Sequence, residues 1–120
     1  MTATKELIEI DIPAKYRIMK HRFHNYDPAT EFSEDLSFEY LSEDLFQVKH
    51  RDNEITIDLG WYGDLITNEG EFAVRVILKT NWESPITTMY SKSQPEIATI
   101  LQRTIQAVHD GVLNFEPEKE

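Results

Sequence analysis

Two stretches, LFQVKH (45–50) and EITIDLGWY (54–62), flank Arg51-Asp52-Asn53, and this pairing constrains the fold more than any other feature. In the second stretch Ile55, Ile57, Leu59 and Trp61 share one face, while Thr56, Asp58, Gly60 and Tyr62 share the other, because side chains alternate along a strand. Two strand-like runs around an Asp/Asn turn predict a β-hairpin. A third run, EFAVRVILKT (71–80), follows with Phe72, Val74, Val76 and Leu78 on one side and Ala73, Arg75, Ile77 and Lys79 on the other. PITTMYS (85–91) reads as one more strand.

Upstream, Ile8, Ile10 and Ile12 alternate with Glu9 and Asp11, a period-2 strand stopped by Pro13. KYRIMKHRFHNY (15–26) is strand-like, YDPATEFSED (26–35) reads as turn and loop, and in LSFEYL (36–41) Leu36, Phe38 and Tyr40 share a face. Near the C-terminus, Ser93-Gln94-Pro95-Glu96 is a capping box, with Ser93 as N-cap and Glu96 three residues on. Ile97, Ile100, Leu101, Ile105 and Val108 then follow helical spacing, and Gly111 is placed to end the helix. Strands followed by a helix predict an α+β domain: an antiparallel sheet of about five to six strands with the C-terminal helix on one face. Its 120 residues suit one domain, 1–120, with FEPEKE (115–120) as a frayed tail.

The two aromatic rings between Gly60 and Gly63 divide by this parity. Trp61 belongs with the apolar set and is expected in the core. Tyr62 lies with Asp58 on the polar side, where a tyrosine either packs the hairpin end or anchors a partner. Trp82, in NWESP, is expected to close the core.

Charge is unevenly spread. Of a net −10, residues 27–71 hold thirteen acidic groups against only Lys49 and Arg51. A phosphate backbone would be repelled by that region, so no direct nucleic-acid contact is expected, whereas a basic protein would be steered towards it. Acidity can also serve solubility alone. The absence of cysteine excludes disulfides, thiolate nucleophiles and thiolate metal sites, and no segment is apolar enough to span a membrane. With no basic start and apolar run at the N-terminus, a cytoplasmic location is expected.

Chemistry finds little support. His21 and His24 form an H-x-x-H pair, which on a strand points to opposite faces. His50 lies near Asp52 and Glu54 without a recognised metal spacing. There is no nucleophile elbow, P-loop or dinucleotide fingerprint, and the Glu34-Asp35 and Glu43-Asp44 pairs are unremarkable in an acidic chain. No catalytic residue, metal or cofactor is assigned.

The run DLFQVKHRDNEITIDLGWYGD, the run GEFAVRVILKTNWESPI and the helix SKSQPEIATILQRTI together resemble small immunity proteins of bacterial contact-dependent inhibition and related polymorphic toxin systems. The resemblance implies a cytoplasmic protein that binds and neutralises one cognate toxin, many such toxins being basic nucleases. On the charge pattern, the expected partner contacts are Asp35, Glu39, Glu43, Asp44, Asp58 and Asp64 with Tyr62 as anchor, on a monomer or weak dimer. The middle-third carboxylates are expected to gather on one side of the domain. Another acidic binding module, such as a secretion chaperone or nucleic-acid mimic, is the alternative; a small enzyme is a third reading.

Overall fold

The computed structural model describes residues 5–52, 54–67 and 69–111, so the expected tail at 115–120 lies outside the described residues. Its elements are β1 (Tyr16–His21), α1 (Pro28–Glu31), α2 (Glu34–Tyr40), β2 (Phe46–His50), β3 (Ile55–Gly63), β4 (Gly70–Leu78), β5 (Thr87–Ser91) and α3 (Gln94–Asp110). The strands form one antiparallel sheet in the order β1-β2-β3-β4-β5, so each pairs with its neighbours in sequence. The expected fold class is therefore what the chain adopts.

Register follows from burial. Phe46 and Val48 stand opposite Leu59 and Ile57, which in turn stand opposite Val74 and Val76, so the apolar parity of three strands lands on one face. Helix α3 covers that face with Ile97, Leu101, Ile105 and Val108, all at most 2 % exposed. Each such side chain contributes roughly 1.5–3 kcal/mol by leaving water. Trp61 joins this core at 2 % exposure, its ring edge-to-face with Phe72 at 5.1 Å between centroids.

The capping box of α3 is half as expected. Ser93 Oγ accepts from the Glu96 N–H at 3.3 Å, but the Glu96 carboxylate accepts from Ser91 Oγ rather than from the Ser93 backbone. Ser91 Oγ takes the Ser93 N–H instead, at 3.0 Å. A further cap comes from afar: Asp27 Oδ1 accepts the Gln94 N–H at 3.1 Å while also capping α1 through Ala29. Gly111 closes the helix with φ 72°, as a left-handed C-terminal glycine does.

Three expectations are corrected. Residues 8–12 form no strand; only Leu7 bridges to His24, and Ile8, Ile10 and Ile12 pack against the core from an extended segment. That segment is held by Asp11 and Gln102 on α3 rather than by a sheet neighbour. The 26–41 stretch holds two short helices, 28–31 and 34–40, because Asp27 and Ser33 act as N-caps and Glu34 and Asp35 fill a first turn that favours negative charge. Leu36 and Tyr40, four apart, turn inwards, leaving Phe38 60 % exposed; a 3.6-residue period had been read as one of two. Trp82 is 41 % exposed, since Lys79 adopts a left-handed φ of 58° and breaks the strand alternation before the tryptophan is reached.

His50 ends β2 inside the fold, 4 % exposed and edge-on to Tyr16. The Asp52 N–H donates to its Nδ1 (3.2 Å), so its Nε2 carries the proton and donates to Nδ1 of His109 on α3 (3.3 Å). Protonating His50 would break the Asp52 bond. Burial holds the imidazole below its ordinary 6.5; the Asp52 charge pulls the other way, while His109 and Lys15 add to the depression. A depressed histidine binds fewer protons folded than unfolded, so this stabilisation is complete above about 6.5 and is lost as pH falls through that range. Thermal unfolding is thus expected at a lower Tm at pH 5.5 than at pH 7.5, with the difference reduced in His50→Gln. An unchanged difference in that variant would remove His50 from the account.

Candidate partner-binding face

The sheet face turned away from α3 is built in rungs. Lys20, Gln47, Asp58, Arg75 and Thr88 stand opposite one another across all five strands, a polar row with Asp58 at its centre. Asp58 is only 5 % exposed. Gln47 Nε2 donates to its Oδ1 at 3.2 Å. Burial pushes the carboxyl above its ordinary value, and the Gln47 bond and the Arg75 charge draw it part of the way back.

Two residues further along β3, Gly60 decides what lies over this row. The Leu45 N–H donates to the Leu59 carbonyl (3.0 Å) and the Trp61 N–H to the Ser42 carbonyl (2.7 Å). Between those bonds, Glu43 presses its backbone onto Gly60: a Cβ there would sit 2.3 Å from the Glu43 carbonyl oxygen. Glycine is required by this close approach. The consequence is that Glu43 and Asp44, both exposed, are carried across the sheet, where their charges reach Tyr62 and Asp44's also reaches Asp58.

Tyr62 is half-buried beside them. The Arg75 guanidinium lies over its ring, 4.5 Å from the centroid, and Glu71 stands directly opposite it on β4. Burial first, then the Asp58 charge, raises its hydroxyl above the ordinary tyrosine value. One face of the ring is therefore committed to Arg75, and what a partner can meet is the rest of the ring, the hydroxyl and the surrounding carboxylates. Asp64, two residues beyond Tyr62, is exposed but turns inward locally, its Oδ1 accepting from the Ile66 (2.7 Å) and Thr67 (3.3 Å) N–H groups, which lowers its pKa.

The expected contact residues thus divide. Glu43, Asp44, Asp58 and Tyr62 form one interacting group, but Asp58 lies beneath it and is no surface contact. Asp35 and Glu39 are exposed on α2, and among the described residues no interaction joins them to Tyr62. Elsewhere the fold uses its own acids: Glu31 pairs with Lys5 (2.5 Å), Asp52 with Lys15 (2.8 Å), Asp44 lies 3.8 Å from Lys20, and Asp27 is buried as a cap. His21 and His24 are occupied separately, His21 Nε2 by the Ile8 carbonyl (2.8 Å) and the His24 ring against Tyr40.

Arg75 and Gln47 went unassigned in the sequence. The sequence signal for Arg75 was its place in the polar parity of its run; its partner needed the β3–β4 register, which parity alone does not give. Among the described residues no group of three or more histidine and acidic side chains is arranged to hold a metal, and no helix is long and apolar enough to cross a membrane. Comparison with family models, with curated proteins and with solved structures yields no match.

Gly60→Ala is expected to cost about 1–3 kcal/mol in urea unfolding, since backbone rather than a flexible side chain must give way. A loss under about 0.5 kcal/mol would mean that the 42–45 segment lifts from the sheet without cost, and the face would then not be preorganised.

Proposed function

We propose that this domain is a stoichiometric inhibitor of the immunity type, which covers a cationic surface of one cognate toxin. The observation that carries the reading is the seating of Glu43 and Asp44 on Gly60, beside the Tyr62–Arg75 stack. The half-buried tyrosine stands on the central strand β3, and the two exposed carboxylates sit on a connecting segment whose backbone is packed against that strand. Affinity gains when contact groups need no ordering on binding. Tyrosine is enriched at energetic centres of interfaces, and carboxylates around it would engage lysine and arginine side chains of the toxin.

The net charge of −10 adds a long-range component. Exposed acids that no cation of the chain neutralises among the described residues include Glu34, Asp35, Glu39, Glu69 and Glu71, which extend the field beyond the central group. Such a field raises the association rate with a basic partner, and salt weakens it. The resemblance to immunity proteins supports the same function.

The test is co-purification with any basic toxin domain found encoded beside this protein, followed by association kinetics across ionic strength. Association is expected to slow as salt rises, and Glu43→Lys with Asp44→Lys to slow it by about tenfold or more at low salt while the Tm is kept. Tyr62→Ala should act mainly on dissociation. Binding indifferent to both salt and charge reversal, or a toxin domain inhibited equally well by the doubly reversed variant, would overturn the proposal.

A further inference from the structure

Strand β1 is one of the two outer strands of the sheet; its register against β2 shifts between Ile18 and Lys20, and its other edge pairs with no strand of the sheet among the described residues. The Arg51 N–H donates to the Lys15 carbonyl (2.9 Å) and Arg17 stands opposite Lys49, so positions 15 and 17 bond inward while Tyr16 and Ile18 turn their backbone groups outward. The Tyr16 N–H is taken by the Pro13 carbonyl (3.0 Å); that of Ile18 has no acceptor among the described residues. The N-terminal segment could have closed this edge. It pairs only at its start, where the Ile8 N–H meets the Phe23 carbonyl, and then leaves for Gln102 on α3. Between it and β1 lies a groove of about 690 Å³ in which Leu7, Ile8, Ile10, Ile12 and Ile18 supply apolar surface and Glu9, Asp11, His21 and Gln102 a polar remainder. Leu7 and Ile18 are 49 % and 54 % exposed.

The opposite side of the same edge is basic. Among the described residues Arg17, Lys49 and Arg51 line a second groove of about 440 Å³, and Lys20 follows along the strand. Like charges directly opposite on neighbouring strands destabilise a sheet. Yet none of the three cations has a carboxylate partner among the described residues, in a chain with 22 acidic side chains. An outward-facing backbone donor, the apolar side chains around Ile18 on one side and unneutralised cations on the other specify what would complete the edge.

We propose that β1 accepts an extended segment of a partner protein as an added strand, in which apolar residues facing the Ile18 groove alternate with acidic residues facing Arg17, Lys49 and Arg51. Main-chain bonds to the open edge supply affinity, and the alternating side chains supply selectivity. A second copy of this chain does not fit, because β1 laid antiparallel against β1 brings the Arg17 and Lys20 of one copy beside those of the other. The same cations that keep copies apart select an acidic strand. This site stands apart from the Tyr62 group and does not depend on it.

The experiment uses the full chain and a fluorescent synthetic peptide of four Glu-Val repeats, with a Lys-Val peptide and a short single-stranded oligonucleotide as comparators. Saturable anisotropy is expected with Glu-Val alone, with amide shifts centred on Tyr16–His21 and new exchange protection at the Ile18 N–H. Arg17→Glu should weaken binding at least tenfold, and Ile18→Pro, which removes only an outward donor, should abolish it. If Ile18→Pro fails to fold, Arg17→Glu with Lys49→Glu carries the test. Equal binding of Lys-Val, shifts away from β1, displacement by the oligonucleotide at the same amides, or concentration-dependent dimerisation lost in Arg17→Glu would each overturn the proposal.

Discussion

The contact between Gly60 and the Glu43 backbone fixes how the two halves of this domain meet. Strand β3 is the middle of the sheet and is buried from Ile55 to Trp61, on both faces. One face is covered by α3, as its apolar parity requires. On the other, the missing side chain at Gly60 lets the 42–45 segment approach to backbone distance. Side-chain alternation of a half-buried strand would leave Thr56 and Asp58 wet; here they are 6 % and 5 % exposed. The segment that arrives is the one that connects α2 to β2, so the helical 28–40 region is anchored to the sheet by the same contact that displays Glu43 and Asp44.

That arrangement sets an electrostatic problem which the rung across the sheet answers. Burying Asp58 disfavours its charged form, and the nearby Asp44 disfavours it further. Gln47 supplies a hydrogen bond from one neighbouring strand, and Arg75 a charge from the other. Arg75 cannot leave without removing a favourable charge from Asp58, and its guanidinium is at the same time stacked on Tyr62. Tyr62 is therefore oriented by the charge balance beneath it. The face is also polarised along its width: Arg17, Lys20 and Lys49 stand on β1 and β2, while Glu43, Asp44 and Glu71 crowd the Tyr62 end.

How much of this could be read from the residues depends on the range of the forces involved. The four strands from Phe46 to Ser91 and helix α3 were legible, because their alternation and their caps are local patterns. Trp61 in the core followed from the same parity. The 26–41 region misled, because Leu36, Phe38 and Tyr40 satisfy a period of two as well as Leu36 and Tyr40 satisfy one of four; the deciding caps, Asp27 and Ser33, were read as loop residues. Of the site, Glu43, Asp44 and Tyr62 were picked out by charge and residue type. Arg75, Gln47 and the basic group on β1 and β2 were not, since each acquires its meaning only from a register. The summed charge of 27–71 likewise overstated the available field: Lys5 and Lys15, which oppose Glu31 and Asp52, come from outside that stretch.

Asp27 illustrates how fold and face are coupled. A single buried carboxylate caps α1 through Ala29 and Thr30, and also holds the Gln94 N–H at the start of α3, 67 residues away in sequence. Helix α3 determines which face of the sheet is covered; α1 and α2 determine where the chain re-enters to cross Gly60. Because α1 and α3 both begin on the same carboxylate, the start of the helical region that leads to Glu43 and Asp44 is tied to the start of α3. A partner docking at Tyr62 would therefore press against a surface backed by the hydrophobic core itself, so the contact face has little freedom to yield without loosening the helix that holds the domain together.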